Sequence, residues 1–124
     1  MQNSELFRRG VVLPLNQEAE NSLKANKVEE ETSVRYLEIG DQDEFEAIWK
    51  ARLFERINAR TNGLIDDYEE YFVEAASMPA VLEAIEETRS ENSTNCSEID
   101  NFLTALSSLA SEAALLERPL LFVL

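Results

Sequence analysis

The stretch that decides the fold reads DQDEFEAIWKARLFERINARTNGLIDDYEEYF, residues 41–72. Asp41 opens it with Glu44 three residues on, the carboxylate form of a capping box. An Asp oxygen at that place accepts a hydrogen bond from the first helical turn, and acids there face the positive end of the helix. Phe45, Ile48, Trp49, Leu53 and Ile57 recur at three- and four-residue steps, which predicts one amphipathic helix up to Thr61-Asn62-Gly63. Leu64, Ile65, Tyr68, Tyr71, Phe72 and Ala75 repeat the pattern. The spacing therefore predicts a second helix and an antiparallel helical hairpin.

Charge divides the two halves. Lys50, Arg52, Arg56 and Arg60 lie in the first, and the last three form a ladder at four-residue steps. Like charges so spaced repel by roughly 0.2–0.5 kcal/mol per pair, so anions are expected beside them. Those anions are either the acids of the second half or another acidic part of the chain. An external anion bound at Arg52 and Arg56 beside Trp49 is the sharper alternative, and the acidity of the chain opposes it.

Outward from this centre, Val11 to Leu15 reads as a strand, with Pro14 placing it at a sheet edge or strand end. Residues 16–32 are ambiguous: Ala19 and Leu23 give a weak helical stripe after an Asn16 cap, and Glu29 to Glu31 form a charge run. Val34 to Ile39 is rich in β-formers and stops at Gly40. Ser77 before Met78-Pro79 predicts a helix start, fading into a polar loop from Arg89 to Ser97. From Ile99 to Leu116 apolar residues keep helical spacing, which predicts a core helix that Pro119 ends. Leu120 to Leu124 is continuously apolar and reads as a buried strand. The expectation is a single α+β domain, residues 1–124. A small three-stranded sheet, about residues 10–15, 33–39 and 119–124, is packed by four to five helices.

Composition narrows the function. There are 124 residues, no His, one Cys and three Gly. This excludes His-based triads, imidazole zinc sites, internal disulfides and Gly-rich phosphate loops. A net charge of −14 repels nucleic acid and anionic membrane and attracts basic proteins and divalent cations. With one Cys and no signal-peptide or membrane-length apolar run, a cytoplasmic protein is expected. Cys96 has no imidazole to activate it, and no buried carboxylate pair stands out, so no enzyme is expected.

Two clusters remain as candidates. Asp66, Asp67, Glu69 and Glu70 with Tyr68 and Tyr71 suit a face that docks a basic protein: rings give contact area and carboxylates give steering. In size, charge and composition the chain is similar to nuclease inhibitors and bacterial immunity proteins, which implies a non-catalytic binding protein. The alternative is calcium binding or buffering by Asp41, Asp43, Glu44, Asp66, Asp67, Glu70 and Glu74, without an EF-hand loop.

Overall fold

A computed structural model describes residues 9–25, 33–40, 42–63, 65, 70–91 and 97–124. Two of its strands, β1 (Gly10–Pro14) and β4 (Leu120–Val123), are buried at every position. Continuous apolar runs of this kind need cover on both faces and partners on both sides. β1 and β4 pair antiparallel in the middle of a four-stranded sheet. β2 (Val34–Glu38) flanks β1 and β3 (Glu70–Val73) flanks β4, both antiparallel, so the strand order is β2-β1-β4-β3. Pro14 ends β1 and lies past the residues that pair with β4, where its missing N–H breaks no central ladder.

The fourth strand corrects the sequence reading, which expected a helix over residues 64–75 and a three-stranded sheet. Glu70 to Val73 forms a strand along β4, with Tyr71 opposite Phe122 and Val73 opposite Leu120. The same residues alternate as well as they repeat helically. The unpaired backbone groups of β4 decide between the two, because buried N–H and C=O groups must be satisfied.

Five helices complete the α+β fold among the described residues. α1 (Gln17–Lys24) settles the first part of the ambiguous stretch, and the Asn16 side chain caps it by accepting from the Ala19 N–H at 2.7 Å. The run Glu29 to Glu31 lies outside the described residues. The helix expected from Asp41 to Thr61 is broken into α2 (Gln42–Lys50) and α3 (Leu53–Thr61). Arg52, with φ 68 and ψ 23, makes the break. In one continuous helix, nine residues at about 100° each would point Phe54 half a turn away from Phe45. The break lets both rings enter the core.

After α3 the Asn58 amide holds Ile65 from both sides, accepting from its N–H at 2.8 Å and donating to its carbonyl at 2.9 Å. A short 3₁₀ turn, Ala75–Ser77, leads from β3 into α4 (Met78–Glu91), which runs past the expected fade at Arg89. α5 (Ser97–Leu116) follows.

The main core lies on one face of the sheet. Val11, Leu13, Leu120, Phe122 and Leu124 meet α2 to α5, including Phe54, Ile85 and Leu106. Phe54 bridges Trp49 and Phe122, with ring centroids 4.8 and 6.1 Å away. On the other face Val12, Leu121 and Val123 cluster with Leu23 of α1.

Candidate functional site

Of the acidic candidates, Asp43 and Glu44 stand in the first turn of α2 as expected, whereas Glu70 and Tyr71 lie on a strand rather than a helix. Glu70 and Tyr71 are neighbours on β3, so their side chains leave opposite faces of the sheet. Tyr71 packs against the main core, and its ring closes on Gly63, where an added Cβ would lie 3.3 Å away. Glu70 and Glu74, expected on one helix face, are separated along extended chain by roughly 13 Å. Asp41, Asp66, Asp67, Tyr68 and Glu69 lie outside the described residues. Glu44 reaches back past the start of α2 to accept from the Gly40 N–H at 3.1 Å.

Sheet register brings other acids together. Glu38, Gly10, Val123 and Glu70 form one row across the four strands. Glu38 and Glu70 therefore share a face at the same end of the sheet, about 14 Å apart by strand spacing. Asp43 and Glu44 of the first turn of α2 follow Glu38 within a few residues, as does Glu46. Among the described residues no three acidic or Cys side chains converge closely enough to hold a cation.

The basic residues show where the charge balance falls. Arg56 donates to the Thr88 hydroxyl at 3.1 Å and to the Ala51 carbonyl at 3.3 Å, and pairs with Glu87 and Glu91. Arg60 pairs with Glu83 and Glu87. Two of the three ladder residues, Arg56 and Arg60, are thus neutralised by α4. Arg56 is occupied by its own neighbours rather than open to an outside anion. Arg52 pairs with Glu55, Arg35 with Glu112, Arg89 with Glu86 and Asp100, and Lys24 and Arg118 with Glu20. Arg9 donates to Gln42 and to the Leu124 carbonyl, with its guanidinium 3.9 Å from the Phe45 ring centre.

These pairs move titrations. The Arg60 hydrogen bond holds the Glu87 carboxyl below the ordinary glutamate value, and the same bond raises Arg60. Burial pushes Glu20 up, but hydrogen bonds from Lys24 and Arg118 outweigh it, so Glu20 also ends below its ordinary value.

Two shallow grooves open on the described surface. One, of about 250 Å³, lies between β2 and α5 and is bridged by the Arg35–Glu112 pair. The other, of about 370 Å³, lies between the Ala75–Ser77 turn and the end of α5. Sequence spacing placed Leu116 in the core stripe of α5, yet it is 40% exposed, and Leu115 is 85% exposed. The adjacent leucines were the available signal, since neighbours on a helix diverge by about 100° and cannot both be buried on one face.

No helix among the described residues is long and apolar enough to cross a membrane. No protein-family model matches the chain, and no curated protein or solved structure matches it.

Proposed function

We propose that the chain is a non-catalytic acidic binding protein that engages a cationic protein partner, as an inhibitor or immunity protein does, in the cytosol. One observation carries the reading. The described basic side chains other than Lys50 are already held by internal acceptors, while Asp43, Glu74 and Glu117 have no cationic partner among the described residues. The surplus of 25 acids over 11 basic residues sets the field that an approaching protein meets. Such a field steers association more than it tightens the final contact. Asp43 and Glu46 of α2 are the steering groups, together with Asp66, Asp67 and Glu69, which precede the half-buried Glu70 in sequence.

The test is kinetic. With a basic partner isolated by capture on the immobilised chain, replacing Asp43, Glu46, Asp66, Asp67 and Glu69 by their amides should slow association at least tenfold. Dissociation should change less. An unchanged association rate would refute the steering role.

A further inference from the structure

We propose that the groove between the Ala75–Ser77 turn and the end of α5 receives a Lys or Arg side chain of the cationic partner, an inference that rests on the reading above. The groove is lined by Ala75, Ala76, Pro79, Ala114 and Glu117. Four of these are small or flat and apolar, the surface along which a long basic side chain lays its methylene stem. The charged head then needs an anion at the rim. Glu117 supplies one from the lining itself, and Glu74 adjoins Ala75 in the chain. Both are exposed, and neither has a cationic partner among the described residues. Arg118, the nearest cation in sequence, is turned away to Gln17 and Glu20 of α1.

The backbone adds to the case. Glu117 occupies the left-handed position that closes α5, at φ 57. Its N–H donates to the Ala114 carbonyl and the Arg118 N–H to Ala113, the paired closure in which glycine is the usual residue. A carboxylate stands there against the preference of the backbone. Charge also selects the occupant: a second copy would bring another −14 to the same face.

The experiment titrates the ¹⁵N-labelled full chain with penta-arginine at low salt, and separately with penta-citrulline, its uncharged analogue. Penta-arginine should shift the amides of Ala75, Ala76, Ala114 and Glu117 saturably. Glu74→Gln and Glu117→Gly should each weaken that binding about three- to fivefold, as one exposed charge contact allows. Ala76→Arg should abolish the groove shifts by placing a guanidinium there permanently, and it leaves a residue that is exposed in the fold unburied. Penta-citrulline should leave the groove unshifted. Shifts centred on Asp43 and Glu46 instead would overturn the groove while leaving the basic-partner reading standing. Equal shifts from both peptides would overturn the groove as a cation site. The lack of any penta-arginine binding would overturn both.

Discussion

Glu117, Arg52 and Asn62 are the three described residues other than glycine with positive φ, and they divide by chemistry. Asn tolerates the left-handed region, because its short amide can bond locally, so Asn62 ends α3 at little cost. This stop was legible in Thr61-Asn62-Gly63. Glu117 and Arg52 were not, because nothing in their side chains prefers that conformation; packing on either side imposes it. Glu117→Gly should therefore raise stability by up to about 1 kcal/mol, read as a higher midpoint in urea unfolding. A lower midpoint would show that the Glu117 side chain stabilises the fold more than its backbone strains it. Asn58 makes the opposite case. Its amide satisfies both the N–H and the C=O of Ile65. Asn58→Ala should cost about 1–3 kcal/mol by leaving those groups unpaired, and Asn58→Asp should fail in part because it can only accept. Wild-type stability in both variants would show that water replaces the amide.

At the scale of elements, the sequence was legible where its periodicity had a single meaning. Val34 to Ile39, Leu120 to Leu124 and the long stripe of α5 each fit one element, and each forms. Residues 70–73 fit two, and an edge of the sheet chose the strand. The same change parts Glu70 from Glu74, which helical spacing alone had placed on one face. β4 sits between β1 and β3 with every position buried, so removing residues 120–124 should abolish the folded protein. The milder Phe122→Ala should cost about 3–5 kcal/mol. A truncated chain that folds would contradict the central place of β4.

The α3–α4 ladder makes a prediction with a sign. Glu87 titrates below its ordinary value in the folded chain. Its contribution is therefore present above its ordinary value of about 4.5 and is lost as pH falls through the lower folded one. Glu87→Gln should destabilise at pH 7, and the gap to wild type should close as pH drops below about 4. A gap that persisted unchanged to pH 2 would mean that Glu87 acts through packing rather than charge.

Among the described residues, the basic side chains other than Lys50 have internal acceptors, while Asp43, Glu74 and Glu117 have no cationic partner. The acidity was legible in the composition, but its distribution was not. Which carboxylates are neutralised depends on α4 lying against α3 and on α1 reaching Arg118, contacts far apart in sequence. The groove at Glu117 was hidden for the same reason: Ala75 and Ala76 precede α4 in the chain, and Ala114 and Glu117 follow it. The most direct test of the central claim is the dissociation constant for the captured basic partner at 50 and 500 mM salt. Long-range attraction between exposed charges is screened within about 10 Å at 0.1 M and more tightly above it. Affinity weakened at least tenfold at the higher salt is the predicted result. An affinity that stays constant would contradict it and would mean that the acidic surface is not what the partner recognises.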